Sequence, residues 1–315
     1  MVAKTKNHLN HITSFRWLLK FACLMISAFM LFSLTGCKEH FTGILNPKGL
    51  IAYEQRKLFF DTMALMLIVV LPVIIMSITF VYHYQESHRV RDYKPNWSHN
   101  LYLEILWWGI PCVIILVLGI TTWKKTHELD PYHRIPGHDE KPLLVQVIAL
   151  PWKFLFIYPQ QNIATVNTLK IPLGQQVEYW VTADNVPMSA FFIPQLGSQI
   201  YAMTGMRTRL HLLATEPGIY DGLNTQYNGD GFSDMHFEVQ VLEPKALETW
   251  FAEVKKSNPP LNDAAYHQLL SPSIADQPKF FSGVQEHLFH NAMMTYMDSL
   301  GATHPRENTN KFHKE

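Results

Sequence analysis

The sequence predicts a membrane-anchored all-β protein: a two-helix transmembrane hairpin, then a Greek-key β-sandwich or barrel, then a helical extension at the C-terminus. Three observations predict it. The long apolar runs all fall before residue 125 of the 315. From residue 143 the pattern changes to short segments that alternate at period two, divided by turn residues. After Glu243 apolar residues recur at helical spacing. Composition agrees. Formal net charge is zero and only 17% of residues are charged against 48% hydrophobic, so much of the chain needs a place away from water.

The first apolar run reads as an export leader over residues 1–36. Lys4, Lys6, Arg16 and Lys20 form a basic lead, and LLKFACLMISAFMLFSLTGC follows, ending in small residues. Leu34-Thr35-Gly36-Cys37 resembles the lipobox of bacterial lipoproteins. That resemblance implies cleavage before Cys37 and a lipid on its sulfur; the alternative is an ordinary leader with Cys37 near the cut by chance. Residues 37–125 then hold the hairpin. TMALMLIVVLPVIIMSITFV, about residues 62–81, carries no charge and is long enough to cross a bilayer core of about 30 Å, with Pro72 mid-span. LYLEILWWGIPCVIILVLGITTW, about residues 101–123, carries Trp107, Trp108 and Trp123 toward its ends. Arg89, Arg91 and Lys94 make the connector cytoplasmic by the positive-inside bias and place Cys37 and everything after Trp123 outside; Lys124 and Lys125 weigh against this and are outvoted.

The outer part, residues 126–243, offers strands in LLVQVIAL, WKFLFIY, ATVNTLKI, QQVEYWVTA, MSAFFIPQL, QIYAMTG, RTRLHLLAT and MHFEVQVLE, with turns at Pro172-Leu173-Gly174, Asp184-Asn185, Thr204-Gly205 and Glu216-Pro217-Gly218. Residues 244–315 form a helical arm. Pro244 suits a first helical position, Asp263 is the expected cap of AAYHQLL, and a last helix is expected over residues 284–300 with Val284, Leu288, Met293, Tyr296 and Leu300 along one face. The outer part contains no cysteine, since Cys23 is in the leader, Cys37 at its end and Cys112 in the second span. Disulfides and thiolate metal sites are therefore excluded there. From Lys124 onward there are 15 basic and 20 acidic residues, which argues against a nucleic-acid surface. His127, His133 and His138 match no strong zinc spacing and read as linker.

A leader, two spans and an exported β-domain together resemble subunit II of the heme–copper respiratory oxidases, over nearly the whole chain. In copper-bearing members the outer domain is a cupredoxin-like barrel with a two-copper centre. Its loop reads Cys-x3-Cys-x3-His-x2-Met after Pro-Gly-x-Tyr, and a further His comes from an earlier strand. Pro217-Gly218-Ile219-Tyr220 supplies that turn here, and the loop positions fall on Asn224, Asn228, Phe232 and Met235. The carbonyl-donating Glu falls on Gln226 and the earlier His on Ser189. Only Met235 of the side-chain ligands survives. Two amides, a phenyl ring and a lone thioether do not make a copper pair, and His211 and His236 are not expected to rebuild one. The two Asn are expected to satisfy turn backbone and Met235 to pack in the core.

The segments WKFLFIYPQQNIATVN and MSAFFIPQLGSQIYAMTGM closely resemble the copper-free branch, the ubiquinol oxidases of the cytochrome o type. The resemblance implies a subunit with no cofactor of its own, beside a subunit I holding heme b, heme o and one copper, with ubiquinol as the substrate of the complex. It implies subunits I, III and IV and membrane lipid as partners, no cytochrome c, and the inner membrane of a bacterium, with two passes, a lipid anchor and the outer domain in the periplasm. It places Glu104 near the mouth of a proton pathway into subunit I, the alternative being a carboxylate that reaches the headgroups. It gives Trp152 no electrons to carry, so the indole is expected to pack. Two other readings remain open: a copper-bearing cytochrome c oxidase subunit II, which the missing ligands contradict, and a stand-alone membrane lipoprotein that binds a partner.

Overall fold

A computed structural model describes residues 43–84, 99–137, 141–186 and 188–299. The leader, Cys37, Arg89, Arg91, Lys94, His138 and the tail after Ser299 lie outside the described residues, as do the side chains of 296–299. Residues 43–46 belong to a separate N-terminal unit and form one turn, closed by Asn46 N–H donating to the Gly43 carbonyl at 3.1 Å. The second unit runs from Pro47 and holds every described helix and strand.

Two long helices come first, α1 (Leu50–His83) and α2 (Leu101–Glu128). Their apolar windows have mean hydropathies of 2.9 and 2.3, and none of either window is buried within the chain. Both helices outrun the predicted spans. At 1.5 Å per residue, the 34 residues of α1 reach about 50 Å, well beyond a bilayer core. The extra turns carry Glu54, Arg56 and Lys57, which form helix readily but belong in water, and Asp61. Lys125, near the end of α2, donates to Glu54 of α1 at 2.9 Å and to Glu128 at 2.7 Å. A lysine that weighs against the predicted orientation thus clasps the two helices together. The entry to α1 is tied to a turn of the outer domain: Lys48 N–H donates to the Gln195 carbonyl at 2.7 Å and Ala52 N–H to that of Leu196 at 3.1 Å.

Eleven strands among the described residues make two sheets. In one the order is β11-β3-β2-β1-β5-β8, in the other β4-β10-β9-β6-β7. The first contains β1 (Leu143–Leu150), β2 (Lys153–Tyr158), β3 (Ile163–Val166), β5 (Gln176–Ala183), β8 (Thr208–Leu213) and β11 (Lys279–Phe281). The second contains β4 (Thr168–Pro172), β6 (Met188–Ile193), β7 (Gly197–Met203), β9 (Gly218–Leu223) and β10 (His236–Leu242). The parallel pairs β1–β5 and β4–β10 break an otherwise antiparallel arrangement. Between the sheets, Phe154 and Phe156 of β2 meet Phe191 of β6 and Phe237 of β10, with the Phe237 ring centroid 5.0, 5.1 and 5.4 Å from the other three. Opposite Phe237 in register is Gly222, where a Cβ would lie 2.1 Å from the ring, so the core requires glycine there. Every residue of β2 is buried, which explains its unbroken apolar run: one face meets this core, the other the arm.

The arm consists of α3 (Pro244–Ser257), α4 (Asp263–Leu269), β11 and α5 (Leu288–Ser299). Leu247, Trp250, Phe251 and Val254 of α3 close the main core, while Leu261, Tyr266, Leu269, Leu288, Phe289 and Ala292 cover Ile148, Leu150, Leu155 and Ile157 on the outer sheet face. Buried polar bonds fix it. Lys153, 1% exposed, donates to the carbonyls of Ser271 at 2.9 Å and Leu269 at 3.3 Å and to the Ser273 hydroxyl, and pairs with Asp276 at 3.1 Å. Tyr266 donates its hydroxyl hydrogen to Asp184, and Asn167 donates to the Asp276 carbonyl at 3.0 Å.

Three expectations need correction. The cap of α4 is Asn262, whose side chain accepts from Ala265 N–H at 2.9 Å; Asp263 is the first helical residue. The last helix begins at Leu288, because Val284 is held outside it by a bridge to Leu261 and a bond to Asn162. Its buried face runs through Leu288, Phe289 and Ala292, while Met293 is half-buried. Two strands are additional, β9 and β11, and the expected strand ATVNTLKI is divided into β3 and β4 at Asn167, whose φ is 55°. The Gly-rich opening of β9 and the three-residue length of β11 leave almost no period-two signal.

Candidate functional site

The positions that hold copper in the resembling oxidases lie at one end of the sandwich, on β6 and on the connection from β9 to β10. Four of them converge. Asn224 is 3% exposed; its side-chain oxygen accepts from Ala190 N–H at 2.8 Å and Gln226 N–H at 3.0 Å, and its amide nitrogen donates to the Gln226 carbonyl at 2.8 Å. Asn224 thus joins β6 to the loop. Asn228 donates its amide hydrogens to Ser189 Oγ at 3.1 Å and to Met235 Sδ at 3.4 Å. Ser189 is fully buried and Met235 is 1% exposed. The base of the loop is closed by Asn224 N–H donating to the Met235 carbonyl at 3.1 Å. Gln226 contributes only backbone to this network. Phe232 sits half-buried on a single 3-10 turn, Phe232–Asp234, edge-on to Tyr227 with centroids 5.6 Å apart.

Trp152 covers the loop. It adopts a left-handed backbone, φ 60°, in the β1–β2 turn, and its indole N–H donates to the Asn228 carbonyl at 3.2 Å. The ring lies so close to Gly231 that a Cβ there would come within 2.4 Å of it. The next residue is Lys153, so one turn grips the loop with its first side chain and the arm with its second. The expectation that Trp152 packs against protein thus acquires a specific partner.

The donor set does not fit a copper pair. The Met235 sulfur already accepts a hydrogen bond, Asn228 presents N–H groups rather than lone pairs to the centre, and no thiolate is within the domain's composition. The two nearby histidines are placed elsewhere. His236 is exposed and its Nε2 meets the Ser233 carbonyl at 2.9 Å. His211 lies on β8 of the other sheet with Nδ1 donating to the Pro131 carbonyl at 3.0 Å. One polar atom of the site has no partner, the buried Oδ1 of Asn228. Among the described residues no group of three or more His, Cys, Asp or Glu is arranged to hold a metal; His127 lies in the last turn of α2 rather than in the linker and meets the Trp123 carbonyl, while His133, in the linker, meets Asp130.

At the other end of the molecule, Glu104 occupies the first turn of α2. Asn100 caps that turn, accepting from Tyr102 N–H at 3.1 Å and Leu103 N–H at 3.3 Å. The Glu104 carboxylate meets His99 Nδ1 at 2.7 Å. The sequence singles out Glu104 but neither His99 nor the cap. The pattern His-Asn-x3-Glu carries the signal: a residue before the cap and one in the first turn lie side by side.

Known proteins resemble the chain at three levels: a family motif, whole relatives and a solved domain. Residues 255–299, most of the arm, match the family described as COX Aromatic Rich Motif. Over 264 residues the chain is 43% identical to the cytochrome bo(3) ubiquinol oxidase subunit 2 of Pseudomonas aeruginosa, spanning 83% of this chain and 79% of that protein. It is 46% identical over 240 residues to the protein of the same name from Pseudomonas putida, spanning 76% and 75% of the two chains. Among solved structures, the periplasmic domain of subunit II of a Bradyrhizobium japonicum cytochrome oxidase aligns with a TM-score of 0.36 at 20% identity, over 38% of this chain and 97% of that one.

Proposed function

Since the chain belongs to the ubiquinol oxidase subunit 2 family, we propose that it serves as subunit 2 of a ubiquinol oxidase complex in which its own outer domain carries no copper pair. The complex is an oxidoreductase: two ubiquinols and one oxygen give two ubiquinones and two waters, with electrons passing through the heme b, heme o and copper of subunit I. This chain contributes its membrane hairpin and outer sandwich to the assembly with subunits I, III and IV, and Cys37 carries the lipid that adds a second anchor. The outer domain faces the periplasm.

The observation that carries the copper-free reading is the Asn228 amide, which fills the centre of the former metal site with N–H groups directed at Ser189 Oγ and Met235 Sδ. A loop closed in this way needs no ion to hold its shape and offers no redox step for cytochrome c. Electrons therefore come from a donor within the membrane. At the opposite end, Glu104 stands where protons are taken up toward subunit I, in a helix turn whose positive end favours the carboxylate. The test is a donor assay on the purified complex. Oxygen consumption with a soluble ubiquinol and none with reduced cytochrome c is expected; rapid oxidation of cytochrome c would refute the reading.

A further inference from the structure

We propose that the cavity between the outer ends of the two long helices and the sandwich binds the headgroup of an aminophospholipid, phosphatidylethanolamine. This rests on the reading of α1 and α2 as membrane spans. The cavity has a volume of about 280 Å³. That lies just below the range of drug-sized sites, about 300–1,000 Å³, and suits a headgroup rather than a whole lipid. Its walls are the start of α1, the end of α2 and the linker that follows, with Ser198 of β7 and His211 of β8 beneath. They are fixed from both sides. Lys48 and Ala52 tie the entry of α1 to the Gln195 and Leu196 carbonyls, and His211 Nδ1 donates to the Pro131 carbonyl at 3.0 Å, which draws the linker onto β8. The cavity stands at the level of the bilayer surface. The apolar run of α2 ends at Trp123, an indole 71% exposed as in an interfacial belt, and Lys125 on the cavity wall lies two residues further out. On α1, Tyr53 beside Glu54 is 55% exposed.

The wall carries charges of both signs. Glu54, Glu128 and Asp130 face Lys125 and Arg134, so carboxylates outnumber full cations by one. Lys125 is committed, donating to Glu54 at 2.9 Å and to Glu128 at 2.7 Å. Arg134 is exposed and makes no ion pair among the described residues. A phosphodiester is the partner that such a guanidinium takes, through paired N–H donors. The surplus carboxylate takes an ammonium. Asp130 is met by His133 at 3.5 Å, which leaves Glu54 and Glu128, each with acceptor sites beyond the one bond given to Lys125. Phosphoethanolamine holds both groups in one headgroup, and Leu50, Ile51 and Leu129 supply apolar wall for the glycerol end. A choline headgroup has no N–H for the carboxylates. Phosphatidylglycerol brings only negative charge to a wall that already has an excess of it.

The experiment uses the assembled oxidase, stripped of lipid in detergent and titrated with phosphatidylethanolamine, phosphatidylcholine or phosphatidylglycerol of the same short chains. Bound lipid is counted by native mass spectrometry. Wild type is compared with Arg134→Ala and Glu128→Gln, each checked for heme content; both side chains are exposed, so neither packs a core. Wild type is expected to hold one phosphatidylethanolamine that Arg134→Ala binds about tenfold more weakly, the lower end for a charge-assisted bond. Glu128→Gln should weaken phosphatidylethanolamine and strengthen phosphatidylglycerol. Excess inorganic phosphate should leave wild-type binding unchanged. Equal counts and affinities in wild type and both variants would overturn the site. So would loss of the Arg134-dependent lipid to phosphate alone, or equal binding of all three lipids there. Should Arg134→Ala fail to assemble, Arg134→Gln gives the same reading. Release of the chain from intact membranes by alkaline carbonate would instead remove the reading of α1 and α2 as spans.

Discussion

The outer sandwich and the membrane hairpin solve opposite problems. The sandwich makes most of its contacts within the chain: its core rings meet one another, its arm covers the second face of β2, and the loop 224–235 is closed by side chains of the same chain. The hairpin finishes almost nothing. Its apolar windows have no buried residue, and its described polar ties are the Lys125 clasp, the bonds at the start of α1 and the capped turn at Glu104. A self-contained domain keeps its shape without a partner, whereas apolar helices in this state find burial in lipid and in other subunits. The difference teaches where this chain depends on others: the sandwich closes largely on itself, and the apolar surface of the hairpin is left for lipid and neighbouring subunits.

Substitutions in the sandwich should therefore cost stability, while those in the hairpin should cost turnover. The largest stability effect is expected from Lys153→Met, which removes the buried ammonium from two carbonyls and from Asp276, leaving the carboxylate only Ser273 and Lys279. Removing one member of a buried pair typically costs about 3–5 kcal/mol, and thermal unfolding of the complex followed by hydrogen exchange in 262–281 measures it. An arm that stays protected would contradict the latch. Next comes Asn224→Ala, which strands the N–H groups of Ala190 and Gln226. A loss of about 1–3 kcal/mol and faster exchange in the loop 224–235 are expected, with quinol turnover unchanged.

The smallest effect is a pH dependence at Asp276. Burial raises its pKa, but hydrogen bonds from Ser273 and Lys153, with the charges of Lys153 and Lys279, outweigh this and hold it below the usual carboxylate value. A depressed folded pKa adds stability that is fully present above the unfolded value, about 4. That contribution is lost as pH falls through the lower folded value. Asp276→Asn should flatten this acid limb of the unfolding curve; a limb of unchanged slope would show that other carboxylates carry it.

Much of this division was legible in the sequence. The charge-free run of residues 62–81 is long and apolar enough to span a bilayer, and alternation such as His236-Phe237-Glu238-Val239 marks a half-buried strand. That Ser189, Asn224, Asn228 and Phe232 fall on the ligand positions of copper-bearing oxidases is what the resemblance implies. The contacts that these residues make were not legible. The Asn228 contacts join residues 39 apart in the chain, and the Lys153 latch joins residues more than 100 apart. No local pattern encodes such pairs. A lysine opening an apolar strand reads as an edge residue until the arm is seen to bury it. The cap of α4 slipped by one because Asn262 and Asp263 are both good caps, and only the backbone angle decides between them. The helix bounds extended because amphiphilic turns continue a helix beyond the membrane without changing its period.

The central claim is that the loop from Asn224 to Met235 is held by amide hydrogen bonds in place of metal. Its most direct test is metal analysis of the complex purified after growth in excess copper, read with near-infrared absorption. A single copper per complex, the one expected in subunit I, and no near-infrared band are predicted. Additional copper that stays bound after dialysis and disappears with Met235→Leu would contradict it.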